Sequence, residues 1–399
     1  MSETFNISIS KQYKNRIESG YLWVFSNEID KKNAPNKISY SELYDNKRNF
    51  LCKGVYNPHS LIAFRVLSLS KEEKINQEFF INRIKRALEY RKNFCFDIDI
   101  NYCRIVYGES DLLPGVVIDR YGDVFVIQFF SYAMEIFKEE IVEALIKVFS
   151  PLCILVRNDF YQRKLENANE DKEFVYCKYN NFKENTLVKI KHLDCDFLVD
   201  VLNGQKTGFY YDQTLNRRYL FNLVKDKTVL DLCCYTGAFS ILSAYHGAKK
   251  VIGIDSSLNA IELAKENSKI NNLNNVEFIN MEVEKFLESN KEKFDIVIYD
   301  PPSFAKSKKD KKSSIKKYNS IVKEILKIIK DGGIFNFSVC SRHIDEAEVQ
   351  GIVMNSMLKN KQKGFIIYNG MQSLDHPIYS AMIEETKYLK FISVMIKNS

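Results

Sequence analysis

The chain has 399 residues, 45% of them hydrophobic and 27% charged, a balance that excludes intrinsic disorder and allows two or three folded domains. Its formal charge of +7 is a moderate basic excess, compatible with an anionic partner such as nucleic acid but not proof of one. There is no run of 18 apolar residues, no basic or apolar leader and no C-x-x-C pair among the nine cysteines, so the expectation is a cytoplasmic protein with reduced thiols, no membrane span and no metal.

Residues 5–70 read as short β segments. Asn6–Ser10, Ile38–Tyr44 and Leu61–Leu67 alternate with period two, and Asp45-Asn46 and Asn57-Pro58 supply turns between them. Ten basic against six acidic residues in 1–70 put more than half of the net charge here. The sole tryptophan lies in Gly20–Ser26; Trp23 and Phe25 fit the core of a small barrel, or Trp23 and Arg16 fit contacts to RNA. Gln77–Asn93 is predicted as a helix. Phe80, Ile84, Ala87 and Leu88 share one face, and Arg83, Lys85, Arg86, Arg91 and Lys92 face solvent. Between 100 and 192, strands at Arg104–Tyr107 and Val124–Phe130 flank the turn-rich Gly108–Gly115. A helix at Glu135–Phe149 and a strand at Cys153–Val156 complete a small α+β region.

From 195 onward, apolar runs at 229–232, 251–255, 276–279, 294–299, 334–339, 364–368 and 388–395 alternate with helical patterns. That rhythm predicts a parallel, doubly wound sheet. Its first corner, Val229–Ser240, runs from strand through Tyr235-Thr236-Gly237 into a helix. One glycine is a poor match to the three-glycine dinucleotide fingerprint, because bulky residues keep backbone amides away from a pyrophosphate. A phosphate-free adenosine ligand fits better, and S-adenosylmethionine is the one this corner suggests. Asp231, Tyr235, Thr236 and Gly237 are candidates to hold it. Asp255 with Ser256 would take the ribose and Glu282 the adenine amino group.

The Asp300-Pro301-Pro302-Ser303-Phe304 segment ends a strand in an acid and then a rigid extended loop. It offers a carboxylate and carbonyls to the polar edge of a base, with Phe304 to stack. Cys340 ends a later strand on the same edge and suits methylation at C5 of a pyrimidine, a carbon that becomes nucleophilic only after a thiolate adds to C6. The segment Gln205–Gln213, with Lys206, Thr207, Tyr211 and Gln213, reads as a cover over cofactor and substrate. The run Lys306–Lys317 carries seven Lys against one Asp, suited to phosphates.

On Gly20–Glu28, Cys52–Ser60, Gly108–Gly115, Val117–Gly122, Gln205–Gln213, Asp300–Phe304, Ser338–Ser341 and Asp375–Pro377, the chain resembles the S-adenosylmethionine-dependent 23S rRNA cytosine-5 methyltransferases that carry an N-terminal PUA domain. The resemblance implies a Rossmann-like class I methyltransferase domain at 195–399, preceded by a PUA-like β-barrel at 1–72 and a central α+β domain at 73–194. It implies Cys340 and Asp300 as catalytic residues, Asp300 also near the cofactor, and Pro301, Pro302 and Phe304 around a flipped cytosine. The partner it implies is 23S rRNA or a large-subunit particle; a homodimer is compatible. Three departures stand out: Leu112 where the family has Gly, Glu282 where it has Asp, and Ser303 where many RNA cytosine-5 enzymes carry a second Cys. Two alternatives stay open: an rRNA guanine or adenine N-methyltransferase of the same fold, and a non-catalytic RNA-binding assembly factor.

Overall fold

The computed structural model describes residues 4–9, 13–30, 32, 34–96, 98–179, 186–305 and 307–398. Ser10 and Lys306, each inside a segment singled out above, lie outside these residues. The chain divides into two compact units. Unit 1 comprises 1–190, 199–211 and 374–386; unit 2 comprises 191–198, 212–373 and 387–399.

Unit 1 begins with six strands: β1 (Phe5–Ile9), β2 (Trp23–Val24), β3 (Ile29–Asp30), β4 (Ser39–Asp45), β5 (Phe50–Tyr56) and β6 (Phe64–Ser68). They form one sheet in the order β2-β6-β5-β4-β1-β3, the barrel-like module that period-two alternation predicted. Its core holds Ile7, Ile9, Leu43, Tyr56, Phe64 and Val66. A second sheet, in the order β11-β10-β9-β8-β7, contains β7 (Tyr102–Tyr107), β8 (Val116–Tyr121), β9 (Val124–Phe129), β10 (Cys153–Arg157) and β11 (Lys172–Cys177). The helix Gln77–Phe94 packs Phe79, Phe80, Ile84 and Ala87 into this sheet's core, which also takes Val55 and Leu67 from the barrel. Shared apolar packing explains why 1–72 and 73–190 cohere as one unit. The hairpin of β12 (Leu187–His192) and β13 (Cys195–Asp200) follows, its central residues 191–198 counted with unit 2.

Three expectations change in unit 1. Arg91 does not face solvent: it is fully buried and forks onto Asp111 at 2.5 and 2.8 Å, with further bonds to the carbonyls of Arg104, Ala87 and Asp375. A buried guanidinium requires such complete pairing. Residues 374–386 pack here rather than with the rest of 195–399, because Asp375 also accepts from the amide of Arg104 and Glu385 accepts from the Tyr21 hydroxyl. Cys153 and Cys177 are joined in a disulfide, against the expectation of reduced thiols. Antiparallel pairing of β10 and β11 sets the two directly opposite each other. Leu112 sits at φ 57°, the left-handed region that favours glycine, which explains why a glycine suits this position in the resembled family.

Unit 2 carries the doubly wound sheet: β14 (Thr228–Leu232), β15 (Lys250–Asp255), β16 (Val276–Asn280), β17 (Phe294–Tyr299), β18 (Ile329–Cys340), β19 (Gln362–Met371) and β20 (Leu389–Asn398). The order is β16-β15-β14-β17-β18-β20-β19, parallel from β16 to β18, with β20 antiparallel to both neighbours. Strands buried on both faces explain the near-continuous apolar runs. The helix expected at 318–330 instead covers Lys311–Lys327, so much of the lysine run is helical. No helix among the described residues is long and apolar enough to cross a membrane.

Candidate functional site

The strand register of unit 2 aligns the chemistry. Leu232 lies opposite Ile254 and Tyr299, Tyr299 opposite Phe337, and Asp255 opposite Asn280. One residue past this row stand Asp255, Cys233, Asp300 and Ser338. Cys340 is two residues farther along β18, about 7 Å in the strand direction. All lie at the carboxyl ends of the parallel strands, where open α/β sheets bind ligands.

The first corner is tightly built. Gly237 has φ 83° and starts the helix Ala238–Tyr245; a Cβ there would come within 2.7 Å of the Phe278 ring. The amides of Cys234, Tyr235 and Gly237 are bonded to Ile254 O, the Asp255 carboxylate and Cys234 O. They are therefore turned into the protein, whereas a dinucleotide site would present such amides to a pyrophosphate. Asp255 accepts from the amides of Tyr235 and Ser257, both at 2.9 Å, one per oxygen. Each oxygen keeps a second lone pair, so ribose hydroxyls can still be accepted. Ser256 and Glu282 are exposed, Ser256 directly after β15 and Glu282 at the N-cap of the helix Val283–Ser289. Thr236 is buried and its carbonyl accepts from Asn267.

Asp231 is 0% exposed. One of its oxygens accepts from Ser240 Oγ at 2.6 Å, and the other is buried with no partner. Burial, reinforced by the nearby Asp300 carboxylate, pushes its pKa up to about 7. An ammonium group such as the one on the methionine part of S-adenosylmethionine would satisfy that oxygen. The acceptor set therefore fits this cofactor: a buried carboxylate at Asp231, a carboxylate with spare lone pairs at the end of β15 and an exposed acid beyond β16.

The Asp300 loop and the end of β18 are tied together. The Asp300 amide donates to Leu232 O, and Ser341 Oγ donates to Ala305 O at 3.2 Å. Pro301 is buried and Pro302 exposed. Phe304 is half-buried, with its ring 4.7 Å from the Tyr318 ring and Lys317 Nζ 4.2 Å from its centre. Tyr318 stands close enough to Asp300 and Cys340 for their charges to add to the burial that raises its own phenol.

Other candidate residues take different places. Gln213 is buried with both ends of its amide engaged, donating to Ser338 Oγ and accepting from Asn216, so it braces β18 instead of reaching a cofactor. Tyr211 belongs to unit 1, where its hydroxyl donates to Arg120 O. Thr207 is fully buried there, donating to Asp119 at 2.5 Å beside the Tyr121 hydroxyl, which places it in a core network and not against substrate. Lys206 lies over the Tyr210 ring at 4.2 Å. Trp23 donates its indole N–H to Glu109 at 2.8 Å. Arg16 is ion-paired with Glu28 and packs against the rings of Tyr13, Tyr21 and Phe25. Arg16 is thus engaged within the barrel, and Trp23 links β2 to the turn Gly108–Asp111. Ser240, Tyr318 and Ser341, which contact Asp231, Phe304 and the Ala305 carbonyl, were not singled out from sequence.

Family models match residues 7–69 as a PUA-like domain and residues 223–388 as a methyltransferase domain. The ribosomal RNA large subunit methyltransferase I of Photobacterium profundum is 34% identical over 410 residues, covering 99% of this chain and 100% of that protein. The chain belongs to the ribosomal RNA large subunit methyltransferase I family. The Aliivibrio fischeri (strain MJ11) member of that family is also 34% identical, with 97% and 98% covered. A Streptococcus mutans structure named as a candidate SAM-dependent methyltransferase superposes with TM-score 0.82 at 22% identity, covering 98% of this chain and 100% of that one. A further methyltransferase structure, solved with SAH, gives TM-score 0.83 at 22% identity over the same shares. These two likenesses speak to the fold. For a member of the large subunit methyltransferase I family, the PUA-like barrel and the methyltransferase sheet are the architecture expected.

Proposed function

We propose that this chain methylates C5 of a cytosine in large-subunit (23S) rRNA, with Cys340 as the nucleophile. The observation that carries the reading is Cys340 at the end of β18, tied through Ser341 and Ala305 to the loop that begins at Asp300. The substrate class comes from family membership and from the PUA-like domain.

The methyl donor is S-adenosylmethionine, which supplies an electrophilic methyl group when bound. Asp255 and Ser256 would hold its ribose, Glu282 its adenine, and Asp231 its ammonium, while Tyr235, Thr236 and Gly237 form the corner beneath. Asp300, Pro301, Pro302 and Phe304 would seat a cytosine turned out of its stack, since C5 is poorly reached inside a helix. The Cys340 thiolate adds to C6 of the ring, and the displaced electron pair makes C5 nucleophilic. After C5 is alkylated, its proton leaves to Asp300 or to water as Cys340 is expelled and the C5–C6 double bond reforms. Ser303 occupies the second-cysteine position, so expulsion depends on that proton transfer and not on a second thiol.

The test is nucleoside mass spectrometry of large-subunit rRNA incubated with the chain and S-adenosylmethionine. New 5-methylcytidine is expected; a new methylguanosine or N6-methyladenosine in its place would overturn the base assignment.

A further inference from the structure

The two edges of the seven-stranded sheet are built differently. β16 is five residues long and turns Glu277 and Asn280 to solvent. Short length and charge protect a sheet edge, whose unpaired N–H and C=O groups otherwise template another strand. β19, the other edge, is ten residues long, and its Gly364-Phe-Ile-Ile-Tyr-Asn-Gly-Met371 stretch contains neither charge nor proline. Phe365, Ile366, Ile367 and Met371 are all exposed, Phe365 to 59%. Phe365 stands opposite Met395 of β20 and Ile366 opposite Val394, so the two point to opposite faces of the sheet. Apolar residues on both faces are the pattern of an interior strand.

The helix Glu346–Lys359 extends the same surface. It buries Val349, Ile352, Val353 and Ser356, and Met357 rests on β19: a Cβ at Gly364 would meet its Sδ at 2.7 Å. Met354 and Leu358, one turn apart on the strip beyond Met357, are 55% and 67% exposed. These six side chains leave on the order of 600 Å² open per copy, and the strand backbone brings this near the roughly 800 Å² a side that a stable interface buries.

The charges of the strand decide the occupant. With no Lys or Arg from 364 to 371, this edge offers nothing to RNA phosphates. Within β19 the only charge is Lys363, near one end. Paired with itself antiparallel about its centre, the strand sets Lys363 opposite Gly370 and keeps the two copies of Lys363 about 24 Å apart, whereas parallel pairing in register stacks them at about 5 Å. Antiparallel self-pairing is also what a closed two-fold dimer provides. The register shift between Ile366 and Tyr368 interrupts the ladder at one residue, so the joint rests on side-chain packing as well as on main-chain bonds. We propose that β19 joins a second copy of this chain, antiparallel across a two-fold axis, with Met354 and Leu358 packed against the joint. The proposal does not depend on which base is methylated.

The experiment uses the full chain. Analytical ultracentrifugation from about 0.1 to 50 μM gives the mass, and hydrogen exchange of the peptide 362–371 is followed over the same range. Twice the chain mass is expected at the upper end, with amide exchange in 362–371 slowing as concentration rises. Ile366→Lys places like charges across the axis, and Leu358→Glu interrupts the same contact from the helix. Both positions are exposed in the single chain, so neither change disturbs its core. Each should raise the dimer dissociation constant at least about tenfold, and Leu61→Lys, at an equally exposed leucine of the barrel, should leave it unchanged. A monomer at every concentration would overturn the proposal. So would a dimer that neither Ile366→Lys nor Leu358→Glu weakens, or one that Leu61→Lys weakens equally.

Discussion

Asp231, the last residue but one of β14, has one oxygen bonded to Ser240 and the other buried without a partner. Its folded-state pKa of about 7 lies above the roughly 4 of an unfolded aspartate, so its ionisation opposes folding. Below about pH 4 both states are protonated and there is no penalty. As pH rises toward 7 the unfolded state loses its proton first, and stability falls. Asp231→Asn, which mimics the neutral acid, should stabilise the ligand-free protein at pH 8 by up to about 4 kcal/mol and have little effect at pH 4, as read by urea unfolding. The strand-end placement of Asp255, Asp300 and Cys340 was legible in the sequence because each closes an apolar run. Arg91 was not, because a helical arginine among other basic residues looks solvated whether or not an acid 20 residues on turns toward it. Gln213 and Thr207 misled for a related reason: polar residues before a cofactor corner look like ligands, yet their partners Ser338 and Asp119 lie far away in sequence.

At the scale of elements, two contacts dominate. Arg91 ties the helix Gln77–Phe94 to Asp111 and to the carbonyl of Asp375. Arg91→Met leaves Asp111 buried without its cation and should destabilise unit 1 by about 3–5 kcal/mol, measured by denaturant unfolding. At the first corner, Gly237→Ala combines positive φ with a Cβ 2.7 Å from Phe278 and 3.2 Å from Ala264. Loss of more than about 1 kcal/mol of stability is expected, with weakened S-adenosylmethionine binding in a calorimeter. Strand periodicity gave the sheets correctly because burial on one or both faces imposes it. The assignment of 374–386 to unit 1 left no such trace, since it depends on non-periodic contacts: hydrogen bonds to Asp375, Pro377 and Glu385 and the burial of Met382 in the barrel core.

Over the whole molecule, the basic excess concentrates in segments suited to phosphate. Lys308, Lys309, Lys311 and Lys312 lead into and begin the helix that also carries Tyr318, the ring packed on Phe304. Replacing these four lysines with alanine should weaken rRNA binding in low salt and flatten its salt dependence, measured by filter binding from 50 to 200 mM salt. The class of partner was visible in charge and in the PUA-like resemblance, whereas the tie from Ser341 through the Ala305 carbonyl to the Asp300 loop required the structure. The most direct test of the central claim uses large-subunit rRNA transcribed with 5-fluorocytidine, whose C5–F bond blocks expulsion of the enzyme after methyl transfer. With S-adenosylmethionine present, a denaturation-resistant RNA–protein complex should form with the nucleotide attached to Cys340, and Cys340→Ala should form none. Attachment at another residue, or undiminished 5-methylcytidine formation by Cys340→Ala on ordinary rRNA, would contradict the account.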